Sequence, residues 1–330
     1  MDRLEALQQW VRKQFPNQII EFAPASADAS FRRYFRARLG DTSYVVMDAP
    51  PEHENCRPFI HVAELFKDAG ANVPEVLADD LEQGFLLLTD LGDTTYLQAL
   101  DEHSADSLYR DASATLIDIQ LASRPGTLLE YDAPSLMREM VLFPDWYIAR
   151  HLEFDLPPEQ RQELAGYLET INRACLAQPQ VYVHRDYHSR NLMVEEDRNP
   201  GVLDFQDAVY GPITYDLVSL FKDAYIAWDE ERVLDWVIRY WERAKKAGLP
   251  VYADFAEFYR AFEWMGMQRH LKVLGIFARL YHRDGKAGYL KDMPLVMRYL
   301  RSAIERYSEL AGLARLLDQL DAECAARRLS

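Results

Sequence analysis

The side chains best able to do chemistry in this sequence are those of His184–Asn191 and Asp204. They follow the pattern H-x-D-x-x-x-x-N from His184 to Asn191, and Asp204-Phe205 comes thirteen residues later. A carboxylate at Asp186 can accept the proton of an attacking hydroxyl, while Asn191 and Asp204 offer the oxygen ligands that Mg²⁺ prefers. The spacing predicts phosphoryl transfer with Asp186 as catalytic base and with Asn191 and Asp204 as magnesium ligands.

Two other interpretations of this segment stay open at the level of sequence. Asp and Asn residues also form turns, which would leave the segment without chemistry. His184, Asp186 and His188 alternate as H-x-D-x-H, a pattern that could place three ligands around a transition metal. That second hypothesis needs a fourth ligand and does not explain Asn191 and Asp204.

Elements that must position these residues can be read from apolar patterns. Short strands are predicted at 181–184, 192–195 and 201–203, so the candidate residues follow strand ends. The part of the chain before them is predicted to form a small antiparallel sheet with helices beside it. Its strands are expected over 31–39, 43–49, 76–78 and 84–89, and its helices over 3–14 and 57–69. Elsewhere helices are predicted over 104–122, 158–177, 216–228, 230–247, 253–282 and 294–325.

Composition limits the classes of partner. The chain has 330 residues, 49% hydrophobic and 27% charged, with a formal net charge of −16. A strongly acidic balance argues against nucleic acid and anionic membranes as partners. Three scattered cysteines indicate neither a zinc knuckle nor a disulfide framework. No signal peptide or membrane span is evident, so a cytoplasmic location is expected.

The motifs resemble those of the aminoglycoside/choline phosphotransferase family. The segments that carry the resemblance are H-R-D-Y-H-S-R-N-L, V-L-D-F-Q-D-A and Tyr215-Asp216-Leu217. The resemblance implies an α+β, protein-kinase-like, two-lobed fold that uses ATP and Mg²⁺. Residues 1–92 would form the N-lobe with its small antiparallel sheet, one main helix and hinge, and residues 93–330 a large, mostly helical C-lobe. It also implies that Asp216 is a buried acid bracing the catalytic loop, although a helix N-terminal role explains it equally well.

The nucleotide-binding segments depart from the usual kinase pattern. The predicted phosphate loop has no glycine, and Met47 and Asp48 stand where the family places a lysine that grips phosphates. Arg33 or Arg36 could replace that lysine, and Glu64, its usual partner, is then expected to be exposed. The candidates for nucleotide binding are Ser30, Phe31 and Arg33 in the loop and Asp90, Leu91 and Gly92 in the hinge.

Two aromatic and polar segments, 137–151 and 262–272, are candidates for choosing the acceptor. Core packing explains most of their residues individually. Their basic groups favour a neutral or anionic acceptor over a polycationic one. The candidate acceptor ligands are Trp146, Arg150, His188, Arg190, Gln268 and Arg269.

These two segments, together with two upstream ones, resemble the corresponding segments of the kinases that phosphorylate the anomeric hydroxyl of N-acetylmuramate and N-acetylglucosamine in bacterial cell-wall recycling. F-P-D-W-Y, Q-R-H-L-K-V-L-G-I-F-A-R-L, A-D-A-S-F-R-R-Y-F-R and M-D-A-P carry this resemblance. It implies a small amino sugar as substrate, and no obligate protein partner is indicated. A kinase for another small alcohol (an amino alcohol, homoserine or an aminoglycoside) and a nucleotide-binding pseudokinase that regulates a partner remain as alternatives.

Overall fold

A computed structural model of the chain describes residues 2–27 and 31–329. Ser30 of the predicted phosphate loop therefore lies outside the described residues. The chain divides into two compact units, one formed by residues 1–119 and 190–208 and the other by residues 120–189 and 209–330. We call them unit 1 and unit 2. The lobe boundary expected between residues 92 and 93 stays a prediction.

Unit 1 is built around a five-stranded antiparallel sheet in the order β1-β2-β3-β5-β4. The strands are β1 (Glu21–Ala27), β2 (Arg33–Leu39), β3 (Thr42–Asp48), β4 (Val76–Asp80) and β5 (Phe85–Thr89), and the helices beside them in sequence are α1 (Arg3–Gln14) and α2 (Cys56–Asp68). Helix α1 places Leu7, Trp10 and Val11 on one face, at helical spacing, and packs them with inward residues of β2, β3 and β5.

The remainder of unit 1 includes the segment that carries Asn191 and Asp204. Helix α3 (Tyr96–Ala99) and helix α4 (Ala105–Leu121, within this unit as far as Ile119) follow the sheet in sequence. Strands β7 (Leu192–Met193) and β8 (Gly201–Val202) pair antiparallel. Phe205 is fully buried and packs its ring 4.8 Å from that of Phe59 on α2, which anchors the chain beside Asp204.

Unit 2 is mostly helical. Its helices are α5 (Ala133–Met140), a π-helix (Phe143–His151), α6 (Pro158–Leu176), α7 (Tyr215–Phe221), α8 (Glu230–Ala247), α9 (Phe255–Asp284), α10 (Met293–Ile304) and α11 (Ala311–Leu329), with short 3₁₀ turns at Ala287–Asp292 and Ser308–Leu310. Two strands, β6 (Gln180–Val183) and β9 (Val209–Pro212), pair antiparallel.

The long helix α9 is the central element of unit 2 and is buried along most of its length. It packs closely on the segment between α5 and the π-helix, because a Cβ at Gly275 would lie 2.4 Å from the backbone of Leu142. Only glycine allows this approach. The two segments predicted to choose the acceptor are therefore neighbours in the fold.

The predicted α+β class is confirmed by an antiparallel sheet in the N-terminal part and a helical remainder. Two helix predictions are wrong. The helix expected over 216–228 ends at Phe221, because Lys222 leaves helical geometry with φ −115° and ψ 49°. The helix expected over 294–325 is broken near Tyr307, which is extended and whose hydroxyl donates to Glu263 at 2.6 Å.

Sequence patterns also missed several elements. The strand β1 carries a proline and an irregular register opposite β2, so it lacks clean alternation. The helix α5 and the π-helix that follows it are interrupted by prolines in sequence. Among the described residues, we find no helix with the length and apolar character needed to span a membrane.

Candidate active site

Asn191 and Asp204 lie together in unit 1, as their spacing predicts. Asn191 immediately precedes β7, and Asp204 follows β8 by two residues. The backbone N–H of Leu203 donates to the carbonyl of Asn191 at 2.9 Å. The side-chain amide of Asn191 donates to Oδ2 of Asp204 at 3.3 Å. The paired strands thus place an amide and a carboxylate close enough to bind the same metal ion.

The residues around Asp204 fit a hard divalent cation. Asp204 has φ +61°, a conformation that aspartate tolerates better than most residues. Its Oδ1 accepts a hydrogen bond from Nε2 of Gln206 at 2.8 Å, while the buried Oε1 of Gln206 has no hydrogen-bond partner among the described residues. One carboxylate and two amide oxygens form the oxygen-rich donor set that Mg²⁺ prefers.

Asp48 replaces the expected strand lysine with a buried carboxylate. It is fully buried and accepts hydrogen bonds from Nε of Arg3 at 2.7 Å and from Nη2 of Arg33 at 2.5 Å. Arg33 is therefore committed to Asp48 rather than presenting an unpaired guanidinium in place of the lysine. Glu64 is exposed on α2, as expected in the absence of that lysine.

The predicted hinge is tied to strand β2 by Arg36. Its guanidinium donates to both oxygens of Asp90, at 2.6 and 2.9 Å, and to the carbonyl of Gly92 at 2.7 Å. Ser43 donates to the same carboxylate at 2.6 Å. Gly92 has φ +77°, which favours glycine. Leu91, between them, is buried. Arg36 therefore fixes the conformation of the hinge backbone.

Phe31 is the one exposed aromatic side chain among the described nucleotide-binding candidates. It is 63% exposed and stacks on the ring of His53, with 4.5 Å between centroids. An exposed ring beside the predicted phosphate loop is available for contact with a ligand.

The start of the catalytic loop in unit 2 is held by Asp216. This fully buried carboxylate accepts hydrogen bonds from the backbone N–H of His184 at 2.6 Å and of Arg185 at 2.9 Å. Asp216 thus braces the loop, as the family resemblance implies. Burial raises the pKa of Asp216 to about 7, although the two backbone donors and Arg269 oppose the shift.

The end of the same loop is held by a second buried carboxylate, Asp223. Its Oδ2 accepts hydrogen bonds from the backbone N–H of Ser189 at 3.0 Å and from the hydroxyl of Ser189 at 2.5 Å. Asp223 is 1% exposed, and its Oδ1 accepts from the N–H of Tyr225. Asp186 therefore lies on a loop whose two ends are held by buried acids, Asp216 within α7 and Asp223 just after it.

A cluster of buried charges lies beside this loop; it comprises Tyr131, Glu139, Arg185, Tyr215 and Lys272 and is called the Glu139 cluster below. Glu139 accepts from Arg185 at 2.5 Å and pairs with Lys272 at 3.2 Å. Lys272 also donates to the hydroxyl of Tyr215 at 2.8 Å, and Tyr131 donates to Glu139. These partners let cations remain buried, because each ammonium or guanidinium faces an acceptor.

The electrostatic surroundings keep Asp186 ionised. Burial alone would raise the pKa of Asp186, but Lys272 and Arg269, followed by His188 and Arg185, hold it well below its usual range. The carboxylate also remains 42% exposed, so water stabilises its charged form as well. An anionic Asp186 at neutral pH can accept a hydrogen bond from a hydroxyl, which is the first requirement of a catalytic base.

The six predicted acceptor ligands occupy different environments. Gln268 and Arg269 are buried, Trp146 and His188 are half-buried, and Arg150 and Arg190 are exposed. Arg190 belongs to unit 1, and the other five belong to unit 2. Gln268 donates to Glu139 at 3.3 Å. Gln268 and Arg269 on α9 therefore contact members of the Glu139 cluster.

The transition-metal interpretation of His184, Asp186 and His188 is not supported. His184 is fully buried, and its Nδ1 accepts the backbone N–H of Asp186 at 3.2 Å. His188 packs its ring edge-on against Tyr225. Throughout residues 2–27 and 31–329, no three His, Cys, Asp or Glu side chains form a group that could hold a metal ion.

Comparison with known proteins decides the family. The model of the phosphotransferase enzyme family (APH) matches residues 21–258. The chain belongs to the APH phosphotransferase family. This match contains the sheet of unit 1, the catalytic loop and the segment with Asn191 and Asp204.

Relatives within this phosphotransferase family are similar over nearly the full chain. An N-acetylmuramate/N-acetylglucosamine kinase from Pseudomonas aeruginosa is 54% identical over 300 residues, covering 91% of this chain and 88% of the relative. The protein of the same name from Neisseria meningitidis is 51% identical over 325 residues, covering 97% and 96%. The chain thus matches these phosphotransferases as whole proteins.

Solved structures confirm the protein-kinase-like fold of this phosphotransferase. The choline kinase LicA from Streptococcus pneumoniae has a TM-score of 0.63 at 12% identity and covers 90% of this chain and 99% of its own. The ADP-bound aminoglycoside phosphotransferase APH(2'')-Ib has a TM-score of 0.57 at 16% identity and covers 91% and 98%.

Sequence reasoning about the phosphotransferase site missed Glu139, Asp223 and Ser189. Asp223 follows Asp216 by seven residues, two helical turns, so a second acid directed to the same side was a usable signal. Glu139 carries no such signal, since its role depends on partners contributed by three other segments. Lys272 was visible as a basic residue within an apolar helix.

Proposed function

We propose that the protein is an ATP- and Mg²⁺-dependent kinase of the anomeric hydroxyl of N-acetylmuramate, N-acetylglucosamine or both. The observation that carries the proposal is identity of 54% across 91% of the chain to a kinase named for these two sugars. The substrate classes of the structural neighbours carry no weight here, because those proteins are at most 16% identical.

The proposed reaction is a direct transfer of the γ-phosphoryl group. Asp186 accepts a hydrogen bond from the sugar hydroxyl and takes its proton as the new O–P bond forms and the bond from Pγ to the β-phosphate oxygen breaks, leaving ADP. The transition state is loose, so orientation of the hydroxyl matters more than the strength of the base. A carboxylate kept ionised by Lys272 and Arg269 suits this role.

Asn191 and Asp204, with Gln206 beside them, are the residues proposed to hold Mg²⁺. When bound, Mg²⁺ offsets the negative charge that develops on the phosphate oxygens. Nucleotide binding through Phe31, Arg33 and the hinge residues Asp90, Leu91 and Gly92 is part of the same proposal. Since ATP is a cytoplasmic metabolite, the reaction is proposed to take place there, with a role in cell-wall recycling.

The preferred acceptor is proposed to be neutral or anionic. The lactyl carboxylate of N-acetylmuramate needs a cation, and Arg150 and Arg190 are exposed enough to provide one. Trp146 and His188, which are half-buried, offer ring surfaces for the apolar face of a sugar.

The test is ³¹P NMR of the product formed from ATP with each sugar. An anomeric phosphate, coupled to the C1 proton and labile in mild acid, is expected with at least one sugar, and chelation of Mg²⁺ by EDTA should abolish it. A phosphate at another hydroxyl would refute the proposed position.

A panel of choline, homoserine and an aminoglycoside, assayed by ADP release, provides the comparison. Turnover of one of these alcohols in preference to both sugars would transfer the assignment to another small-molecule kinase. Tight ATP binding without any phosphorylated product would favour the regulatory pseudokinase.

A further inference from the structure

We propose that Arg269 is a positioning residue for Asp186, which it orients through the Arg185–Asp186 peptide, and that it is not an acceptor ligand. This inference rests on the proposed function only in taking Asp186 as the base. It concerns which side chains set the geometry of that base, irrespective of the sugar phosphorylated. Neither the family motif nor the spacing of the catalytic loop includes α9, which supplies Arg269.

The peptide plane that precedes Asp186 is held at both ends. Nη1 of Arg269 donates to the carbonyl of Arg185 at 3.0 Å. The N–H on the other side of the same peptide, that of Asp186, donates to Nδ1 of buried His184 at 3.2 Å. Because a peptide is planar, fixing its carbonyl and its N–H fixes its rotation, and this removes one of the two backbone rotations that determine where the Asp186 side chain points.

Arg185 needs such support. It has φ +76°, in the left-handed region that a long side chain rarely adopts, and surroundings must hold it there. Asp216 accepts its N–H at 2.9 Å, Glu139 pairs with its guanidinium at 2.5 Å, and Arg269 donates to its carbonyl. The N–H, the carbonyl and the Nη2 nitrogen of Arg185 thus each have a partner, and Arg269 is the one that acts on the side facing Asp186.

The position of Arg269 also suits a role inside the protein rather than contact with the acceptor. Its side chain is only 6% exposed, while that of Asp186 is 42% exposed. Nη1 lies 3.9 Å from Oδ1 of Asp186 and 3.4 Å from the hydroxyl of Tyr215, and the guanidinium lies 5.5 Å from the centre of the Tyr215 ring. Nη1, the nitrogen that lies near Asp186, already donates to a carbonyl and a hydroxyl of the protein, which favours an internal role over contact with a substrate carboxylate.

Lys272, one turn further along α9, completes the arrangement from the other side of Tyr215. Its ammonium donates to the Tyr215 hydroxyl at 2.8 Å and pairs with Glu139 at 3.2 Å. Tyr215 therefore stands between the two cations and fixes their spacing. Glu139, Asp216 and Asp223 are the acids that interact with these cations, Glu139 with Lys272 and the two aspartates with Arg269.

The experiment separates kcat from KM with two acceptors that differ in charge. Wild type, Arg269→Met and Arg269→Lys are assayed with N-acetylmuramate and N-acetylglucosamine, and Arg283→Met, an exposed arginine of the same helix, is the matched control. Arg269→Met should lower kcat by about 10- to 100-fold, the scale expected when a catalytic group is misplaced, and equally for both sugars. KM values should change less than about threefold, and Arg269→Lys should regain part of kcat.

Several outcomes would overturn the proposal. A rise in KM confined to N-acetylmuramate would make Arg269 a ligand of the lactyl carboxylate. Unchanged kcat in Arg269→Met would remove any role, and a loss of kcat that parallels a loss of folded protein by circular dichroism, without recovery in Arg269→Lys, would make the role structural.

If Arg269→Met does not fold, Tyr215→Phe tests the same arrangement more gently, because it removes only the hydroxyl shared with Lys272. An equal fall in kcat for both sugars supports the proposal, and no fall contradicts it. Failure of wild type to phosphorylate either sugar would instead refute the proposed acceptors, and the variants would then be compared on whichever alcohol the panel identifies.

Discussion

Two groups of charged residues in this protein differ in how far their cationic side chains are withdrawn from water. The sheet ion-pair group of unit 1 comprises Arg3, Arg33, Arg36, Asp48 and Asp90; the catalytic-loop group of unit 2 comprises Asp186, Asp216, Asp223, Arg269 and Lys272. The side chains of Arg3 and Arg33 are 29% and 47% exposed, whereas those of Arg269 and Lys272 are 6% and 7% exposed.

The difference indicates which group tolerates substitution with less loss of function. Losing a partly exposed cation costs less than losing a buried one, because water can take over part of its contacts. Removing one member of a buried, hydrogen-bonded group leaves the other member uncompensated, which costs far more. We therefore expect substitutions around the catalytic loop to act strongly on turnover and substitutions in the sheet group to act weakly on nucleotide binding.

Asp186→Asn should have the largest effect. The amide keeps the size of the side chain but cannot take a proton, so kcat should fall by about 10²- to 10⁴-fold, the usual contribution of a catalytic base. ATP affinity measured by calorimetry should stay within about twofold of wild type. Full activity in this variant would show that Asp186 is not the base.

Asp204→Ala tests the segment of unit 1 that is proposed to hold Mg²⁺. Loss of the carboxylate that Asn191 and Gln206 face should weaken Mg²⁺-dependent ATP binding by at least about tenfold, the scale expected for a lost metal ligand. Calorimetry with and without Mg²⁺ measures this, and Asp207→Ala, an exposed neighbour, is the control. Equal affinity with and without the Asp204 carboxylate would contradict its ligand role.

Asp223→Ala tests whether the second buried acid matters as much as the first. It leaves the N–H and hydroxyl of Ser189 without their acceptor, so the end of the loop should loosen. We expect kcat to fall by about tenfold or more, the scale expected when a catalytic group is displaced. Ser189→Ala removes only the hydroxyl donor and should cost less. Equal effects of the two variants would show that the backbone hydrogen bond contributes nothing.

This loop also shows what the sequence could and could not predict. The spacing of Asn191 and Asp204 around short apolar runs predicted their proximity, because the two runs pair as β7 and β8. The role of Asp216 followed from the resemblance alone. Glu139 escaped prediction because its partners are distant in sequence, and nothing in a local pattern records that three segments converge on one carboxylate.

The helix over 216–228 failed for a related reason. Its apolar residues continue at helical spacing, but Asp223 accepts the N–H of Tyr225 and that of Ser189, and these bonds turn the chain away from the helix. A tertiary contact therefore ended an element that local propensity would continue. The long helices α8 and α9, which both end at a left-handed glycine, were predicted to within two residues.

Arg36→Ala tests the sheet group directly. Arg36 ties the hinge through Asp90 and the carbonyl of Gly92, so its loss should free the hinge backbone. Because Arg36 is 18% exposed and water can take over part of its contacts, KM for ATP should rise about two- to fivefold with little change in kcat. Arg38→Ala, an exposed arginine of the same strand, is the control. A fall in kcat of the size expected for Asp223→Ala would break the contrast between the two groups.

His270→Phe should have the smallest effect at neutral pH and a distinct effect in acid. Burial, with smaller contributions from Lys222 and Arg269, lowers the pKa of His270 from 6.5 to about 3. Between these two pH values His270 is protonated in the unfolded chain but neutral in the folded chain. The stability present above pH 6.5 is therefore lost as the pH falls toward 3. Between pH 6.5 and 5 the loss is about 2 kcal/mol, from about 1.4 kcal/mol per pH unit. Phenylalanine can keep the stacking on Tyr299 while removing this loss.

Asp216 makes the effect of His270→Phe easier to recognise, because protonation of Asp216 changes the stability with pH in the opposite direction. Its pKa is raised from 3.8 to about 7, so its stabilising contribution is fully present below pH 3.8 and is lost as pH rises through 7. In wild type the two slopes partly cancel between pH 5 and 6.5. In His270→Phe the Asp216 slope remains, so unfolding free energy from urea titrations should fall with rising pH relative to wild type. His103→Gln, at an exposed position, should leave the wild-type profile unchanged. A His270→Phe profile parallel to that of wild type would mean that His270 titrates alike in the folded and unfolded chains, and that burial beside the catalytic loop is less complete than its 2% exposure implies.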